Sequence, residues 1–194
     1  MVINYDKSKE ISSIGFLKIK IIEDNAYSGG LIFTIKEKKI LEYKFRINQI
    51  RIPKYFPTIL FLNQTENYLN LIKDFSINPD CYILNSSGQI HPYFFGAACD
   101  FGLNISKPVV GYTNKLLFGE KRENDEILEI PKIYQNDQLI GYAIPKPNSK
   151  KYYFISVGNN ISLQTARDLF LKIDLTIIKI LDRELNEFIK NSKG

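Results

Sequence analysis

Residues 79–98 read PDCYILNSSGQIHPYFFGAA, and residues 107–119 read KPVVGYTNKLLFG. The apolar run Cys81–Leu84 predicts a short strand of the kind that is buried in a central sheet. Val109–Gly111 predicts a second short strand. Between them, the proline at the start of Pro92–Leu103 predicts the first turn of a buried helix. A strand, a helix and a strand in this order are typical of an α/β sheet.

The sequence on either side extends this pattern. Upstream, β-branched and apolar residues predict three strands of an antiparallel meander, followed by a helix. Downstream, two more strands precede a helix for which Ser162 is the predicted N-cap. The predicted strands are 17–23, 31–35, 40–47, 139–144 and 152–157, and the predicted helices are 61–75 and 163–173. A meander followed by alternating strands and helices indicates an α/β fold with a mixed sheet.

The composition indicates one globular domain. The chain has 194 residues, a net charge of +5 and a pI of about 9.0. A basic balance favours nucleic acid or an acidic partner, although abundant Lys, Ile and Asn are also what an AT-rich coding sequence produces. Cys81 and Cys99 lie in apolar stretches without metal-ligand spacing, which indicates buried thiols. The sequence has no signal-peptide pattern and no apolar run of about 20 residues, so a cytoplasmic protein without membrane contact is expected.

The last predicted element is an amphipathic helix. Residues 1–173 are predicted to form the domain, and residues 174–194 are predicted to carry this helix. Within 175–190 the apolar residues fall on one face at helical spacing. They are Ile177, Ile178, Leu181, Leu185 and Phe188. This face either packs on the domain or binds a protein partner.

Residues 79–119 resemble the central block of the endonuclease V family. That block has an apolar strand, then Asp-Gly-x-Gly-x-x-His-Pro-Arg-x-x-Gly-x-Ala, and later Pro-x-x-Gly-x-x-Lys-x-x-x-x-Gly. Three outer blocks resemble the family's in the same order. They are Asp24–Tyr27 for its Asp-Val-Ser-Tyr, residues 55–61 for its Tyr-Ile-Pro-Gly-Phe-Leu-Ser-Phe, and residues 157–163 for its Val-Gly-His-Arg-Val-Ser-Leu. The resemblance covers roughly residues 17–173. It implies a ribonuclease H-like fold, in which helices flank a mixed β-sheet.

The resemblance also implies a reaction and the residues for it. Members of the family hydrolyse a phosphodiester near deoxyinosine in DNA, or near inosine in RNA, with Mg²⁺ held by carboxylates. Asp24 keeps the first acid, whereas Gln64 and Asn85 stand where the family has Glu and Asp, and Asn159 stands where it has His. A site expected to carry about −3 would carry about −1, and uncharged amides bind Mg²⁺ poorly. Loss of cleavage is therefore expected, with Asp24 as a remnant metal ligand.

A second set of residues is implied to contact nucleic acid. Tyr55–Pro57 resembles the family's strand-separating wedge, and the basic residues just before it suit phosphate contacts. The predicted contacts are Arg51, Lys54, Tyr55, Phe56, Pro57, His91, Asn114 and Lys115. In the alternative interpretation the aromatic residues of the wedge point inward, and His91 begins a helix with its ring satisfied.

The residues leave three functions open. Asp24 is also typical of a turn, and Glu23 or Asp100 could complete a metal site. The first hypothesis is a catalytically inactive protein that binds DNA or RNA without a cofactor, conceivably a subunit of a nucleic-acid-guided or defence complex. The second is a divergent Mg²⁺-dependent (deoxy)inosine-specific endonuclease, which requires a second carboxylate within about 4–6 Å of Asp24. The third is an interaction domain that no longer binds nucleic acid.

Overall fold

The computed structural model describes residues 10–50, 60–122 and 130–193, with the side chains of the first helix described from Gln64 onward. Within these residues nine strands form one sheet. The strands are β1 Ser13–Ile22, β2 Asn25–Thr34, β3 Lys39–Gln49, β4 Cys81–Leu84, β5 Val109–Thr113, β6 Glu120–Arg122, β7 Lys132–Gln135, β8 Gln138–Pro145 and β9 Tyr152–Asn159. The helices are α1 Leu60–Ile72, α2 Ala97–Ile105, α3 Leu163–Lys172 and α4 Thr176–Asn191.

The sheet is mixed, as the sequence predicted. Its strand order is β3-β2-β1-β4-β5-β9-β8-β7-β6. Strands β1, β4 and β5 are parallel to one another, and the other paired strands of the described chain are antiparallel. All of Cys81–Leu84 is buried, because β4 lies inside the sheet with helices on both faces. The carboxyl ends of β4 and β5 therefore lie beside the middle of β1.

Helices cover both faces of this sheet. On one face α1 and α2 pack through Tyr68 and Phe101 against Leu17 of β1. On the other face α3 packs through Phe170 into a larger core that includes Phe16 of β1 and residues of α4. Successive side chains of a strand point to opposite faces, so Phe16 and Leu17 mark the two sides of β1.

The apolar face of α4 packs on the sheet. Ile177, Ile178, Leu181 and Leu185 are buried, and Phe188 stacks on Phe45 of β3 with ring centroids 5.2 Å apart. The domain itself therefore covers most of the predicted apolar face. Within the described part of the chain, no helix is long and apolar enough to span a membrane.

Two predictions of secondary structure are wrong. Helix α2 begins at Ala97 rather than at Pro92, because the backbone of Phe94 is left-handed (φ 53°) and cannot continue a helix from Pro92. The N–H of Gly96 instead donates to the carbonyl of Gly88, which folds this segment back on itself. The alternating acidic and basic residues of 120–129 predict an exposed loop, but Glu120–Arg122 forms β6. Its three residues are exposed and charged, so no apolar alternation marks this strand.

Candidate nucleic-acid interface

The candidate site lies where the carboxyl ends of β4 and β5 reach the middle of β1. Asn85 follows β4, and its backbone N–H donates to the carbonyl of Leu17 at 2.9 Å. The parallel register pairs Leu17 with Leu84, so the next residue of β1, Lys18, lies beside Asn85. The side chain of Lys18 faces α4, as does that of Phe16 two residues earlier. An amide and an ammonium group are therefore neighbours at this edge.

Two lysines of β1 share one carboxylate of α4. The Nζ atoms of Lys18 and Lys20 lie 2.6 Å and 2.9 Å from Oδ1 of Asp182. Lys20 also donates to Oδ1 of Asn186 at 2.6 Å, one turn further along the helix. Burial raises the pKa of Asp182, but hydrogen bonds and charges from the two lysines outweigh it and hold this pKa below its ordinary value. Asp182 is therefore ionised at neutral pH.

A third lysine reaches the same edge from the end of β8. Lys146 donates from Nζ to Oδ1 of Asn114 at 2.5 Å, and its Nζ lies 4.4 Å from the ring centroid of Tyr153. Burial lowers the pKa of Lys146, and nearby lysines, Lys18 among them, lower it further. Among the described residues no carboxylate forms a salt bridge with Lys146. The ammonium group of Lys146 is therefore contacted by neutral groups, Asn114 and Tyr153, and not by a described carboxylate.

Gln64 approaches the edge from the first turns of α1. The hydroxyl of Ser86 donates to Oε1 of Gln64 at 3.0 Å and lies 3.0 Å from the hydroxyl of Tyr68. Tyr68 is fully buried, and this burial raises its pKa well above the ordinary value. Ser86 directly follows Asn85, so the structure brings Gln64 and Asn85 to the same edge, as the resemblance implied.

Asp24, which the resemblance implied as a remnant metal ligand, lies away from this edge. Asp24 is an exposed residue of the turn between β1 and β2. Strand β1 continues from Leu17 to Ile22 before this turn, which at about 3.3 Å per residue places the turn roughly 17 Å from Asn85. The register with β4, rather than the end of β1, decides which residue meets Asn85. Asp24 is too distant to serve this edge as a metal ligand.

Asn159 also lies away from this edge. Because β9 is antiparallel to β5, Asn159 pairs with Val109 at the first residue of β5, opposite the end where the interface forms. Asn159 is 3% exposed, and its Nδ2 donates to the carbonyl of Gly102 at 2.9 Å. Asn159 therefore ties α2 to the sheet, and the structure does not bring it together with Asn85 and Gln64.

Three of the predicted nucleic-acid contacts fall in the described chain. Asn114 and Lys115 follow β5 and are exposed at the interface edge. His91 lies between β4 and α2, and its Nδ1 accepts the N–H of Tyr93 at 3.3 Å, so the neutral ring carries its proton on Nε2. Burial lowers the pKa of His91, and the Tyr93 side chain beside it is 69% exposed. The other predicted contacts, Arg51, Lys54, Tyr55, Phe56 and Pro57, lie outside the described residues.

Sequence reasoning missed the charged residues of the interface. Lys18 and Lys20 alternate with apolar residues in a strand, and charged side chains at such half-buried positions require partners. Asp182 and Asn186 are four residues apart, a spacing that places both on one face of a helix. The alternating lysines of β1 and the polar pair of α4 could therefore have indicated from the sequence that these two elements contact each other. Lys146 follows the end of β8, and no local pattern distinguishes it from a solvated lysine.

The side chains at this edge do not fit Mg²⁺. The described residues contain no group of three or more His, Cys, Asp or Glu side chains that could hold a metal ion. Asp182 faces the edge, but two ammonium groups already occupy its carboxylate. A hard dication prefers oxygen ligands that carry net negative charge. The ammonium group of Lys18 beside Asn85 repels such an ion.

Comparison with known proteins identifies the family. A sequence model of endonuclease V matches residues 4–177. The chain belongs to the endonuclease V family. An endonuclease V of Archaeoglobus fulgidus is 31% identical over 151 residues, which cover 78% of this chain and 67% of the relative. An endonuclease V of Thermofilum pendens is 28% identical over 143 residues, which cover 74% of this chain and 60% of the relative. The matched region thus spans less than two thirds of the Thermofilum protein.

Solved structures of endonuclease V share the fold. Human ENDOV superimposes with a TM-score of 0.86 at 18% identity, over 100% of this chain and 94% of the human chain. Ciona intestinalis endonuclease V, solved in complex with a 24mer DNA containing an inosine followed by a ribo-adenosine, gives a TM-score of 0.78 at 16% identity over 98% and 92% of the two chains. At these identities the likeness establishes the fold, so the predicted endonuclease V-type α/β architecture is confirmed.

Proposed function

We propose that this member of the endonuclease V family binds nucleic acid without cleaving it. The observation that carries the proposal is the set of residues around the point where the carboxyl end of β4 reaches the middle of β1. Lys18, Asn85 and Gln64 stand there, and each is neutral or positively charged at pH 7. A nuclease that uses Mg²⁺ requires carboxylates at such a position to hold the ion and to activate water.

The electrostatic consequence of this replacement is large. Carboxylates concentrate cations that neutralise the charge on the attacking and leaving oxygens, and each lost group of this kind costs several kcal/mol of transition-state stabilisation. Since about 1.4 kcal/mol is a tenfold change in rate, three neutral or positive residues imply cleavage lower by many powers of ten. The same replacement removes the repulsion between carboxylates and a phosphate.

Binding of nucleic acid is supported by family membership and by the charge of this edge. The family includes a protein solved with an inosine-containing DNA. In the present chain Lys18, Lys20 and Lys146 converge on the edge, and Lys115 is exposed beside them. We propose that phosphate groups of DNA or RNA contact this edge without a requirement for Mg²⁺.

The test is a paired assay of binding and cleavage with purified protein. Labelled single-stranded and duplex DNA and RNA, with and without (deoxy)inosine, are titrated in EDTA and then incubated with Mg²⁺ or Mn²⁺. We expect binding that weakens with salt and no cleavage products. Metal-dependent cleavage that disappears in Asn85→Ala would overturn the loss of catalysis, whereas cleavage that persists in that variant identifies a contaminating nuclease. Failure to bind any of the oligonucleotides would overturn the binding role.

A further inference from the structure

The charges at the interface edge do not cancel. We call Lys18, Lys20 and Lys146 the lysine cluster. Lys18 and Lys20 share the single carboxylate of Asp182, at 2.6 Å and 2.9 Å. Lys146 contacts the amide oxygen of Asn114 and the ring of Tyr153, and no described carboxylate neutralises it. Three ammonium groups against one carboxylate leave a local charge of +2.

The cluster is held in place before any ligand binds. The side chains of Lys18 and Lys20 are 12% and 28% exposed, and both are fixed by hydrogen bonds to α4. Lys146 is fixed by its contacts with Asn114 and Tyr153. Ordering a free lysine costs side-chain entropy. A ligand that meets these ordered ammonium groups avoids much of that cost.

Packing alone does not explain the excess positive charge of the lysine cluster. A single lysine would satisfy Asp182, and a second one beside it adds repulsion between ammonium groups. Lys151 and Lys179 lie close enough to Lys146 to add to its positive surroundings. An excess of ordered ammonium groups next to the exposed amide of Asn114 is what a phosphate oxygen requires, because each ammonium group offers three hydrogen-bond donors.

We infer that the lysine cluster is a phosphate-binding site that holds one phosphodiester of a nucleic acid by ammonium groups at the edge where the family's metal-binding acids are missing. This inference rests on the proposed function, because it names the residues that replace the metal in binding. The non-bridging oxygens contact Lys146 and the half-buried pair Lys18 and Lys20. The carboxylate of Asp182 orients that pair and also weakens the site, since it repels the phosphate.

The experiment compares charge-removing variants in EDTA. Binding of a labelled single-stranded oligonucleotide is measured by fluorescence anisotropy for wild type, Lys146→Met and Lys18→Met over a range of salt concentrations. Lys39→Met is the matched control, because Lys39 is exposed beside the turn that joins β2 to β3, away from the lysine cluster. We expect Lys146→Met and Lys18→Met to weaken binding about tenfold at low salt and to reduce the salt slope by about 0.7 for a single strand. The control should change affinity about twofold or less.

A second variant separates a ligand site from an ion pair that only joins β1 to α4. Asp182→Asn keeps the side-chain shape and leaves the two lysines without their carboxylate. We expect this variant to bind the oligonucleotide several-fold more tightly than wild type in EDTA. Glu187→Gln removes the same charge from an exposed position of α4 and therefore controls for net charge. It should change the affinity for the oligonucleotide less than Asp182→Asn does. Thermal unfolding of each variant shows whether it is folded.

The outcomes distinguish this inference from the function on which it rests. Wild-type binding that Lys146→Met and Lys39→Met alter equally would overturn the lysine cluster but leave nucleic-acid binding intact. Absence of binding by the wild type would overturn both. Metal-dependent cleavage would overturn the proposed function, while the effect of Lys146→Met in EDTA would still report on the cluster. If Lys18→Met is unfolded, Lys146→Met decides the result, because Lys146 lies outside the regular strands.

Discussion

At the scale of single residues, Lys18 decides the chemistry of the interface. Its position in β1 is fixed by the hydrogen bond from Asn85 to the preceding residue, Leu17. A carboxylate there would attract a metal ion, whereas an ammonium group repels the ion and attracts a phosphate. In the proposed function, the charge of the side chain beside Asn85 therefore determines whether this edge attracts a metal ion or a phosphate.

Asp80 is a second residue whose charge has a measurable effect. Burial raises its pKa, but Oδ2 accepts hydrogen bonds from the backbone N–H groups and hydroxyls of Ser12 and Ser13, and these hold the pKa of Asp80 well below its ordinary value. This carboxylate joins the start of β4 to the start of β1. We expect Asp80→Asn to lower the free energy of unfolding at pH 7 by about 1–3 kcal/mol, measured by urea denaturation.

The pH dependence of this difference follows from the direction of the pKa shift. Because the folded-state pKa is depressed, the stabilisation is complete above the unfolded-state pKa of about 3.9 and is lost as pH falls below it. The difference between wild type and Asp80→Asn should therefore shrink below about pH 4. Asp137→Asn, which removes an exposed salt bridge with Arg122, is the control and should change the free energy of unfolding much less than Asp80→Asn does. A difference that is constant across this pH range would contradict the role of the Asp80 charge.

At the scale of elements, the connection from β4 to α2 is held against β9. The buried hydroxyl of Ser156 accepts the backbone N–H groups of Gly88 and Ile90, both at 3.2 Å, and the N–H of Gln89 donates to the carbonyl of Val157 at 2.9 Å. A Cβ at Gly88 would lie 2.1 Å from the same carbonyl oxygen. Only glycine fits this close approach. The connection that carries Asn85 and His91 is therefore positioned by β9.

Ser156 provides the test at this scale. Ser156→Ala leaves two buried N–H groups without their acceptor, and an unsatisfied buried donor costs about 1–3 kcal/mol. We expect a loss of stability in that range, measured by thermal or urea unfolding. Ser149→Ala is the control, because Ser149 is exposed and water can replace its hydroxyl. Equal stability of the two variants would show that β9 does not hold the connection.

At the scale of the whole molecule, the sheet brings together residues that are far apart in sequence. Lys18 and Asp182 are separated by 164 positions, and Lys146 arrives from a third region of the chain. The fold is that of endonuclease V. If the side chains at this edge alone prevent the binding of Mg²⁺, as the proposed function requires, carboxylates placed at the edge should allow it.

A triple variant tests this expectation. Lys18→Asp, Gln64→Glu and Asn85→Asp place three carboxylates at the edge, and Asp182 loses one of its two lysine partners. With about 10 mM Mg²⁺ and a Kd of about 1 mM, binding would stabilise the folded state by about 1.4 kcal/mol, which corresponds to roughly 3–6 °C in Tm. We expect that rise in the triple variant and not in the wild type, relative to NaCl of equal ionic strength. An equal rise in both proteins would show that the wild type already holds the ion.

The sequence by itself determined the family and most elements of the fold. Cys81–Leu84 was predicted with its observed bounds, and Ser162 caps α3 as predicted by accepting the N–H of Thr165. These features depend on neighbouring residues, since apolar runs and capping side chains act within a few positions of the chain. The amides Gln64 and Asn85 were singled out from the sequence, because Gln64 follows a block that resembles the family's and Asn85 lies within another.

Only the tertiary structure decided which side chains meet at the interface. The register of β1 against β4 places Lys18, and not Asp24, beside Asn85. Because β9 is antiparallel to β5, Asn159 lies at the far end of β5. A shift of register moves every side chain of a strand, yet it leaves the apolar alternation of each separate strand unchanged. The charge of the site therefore depends on pairings between distant segments, which the pattern within any one segment does not contain.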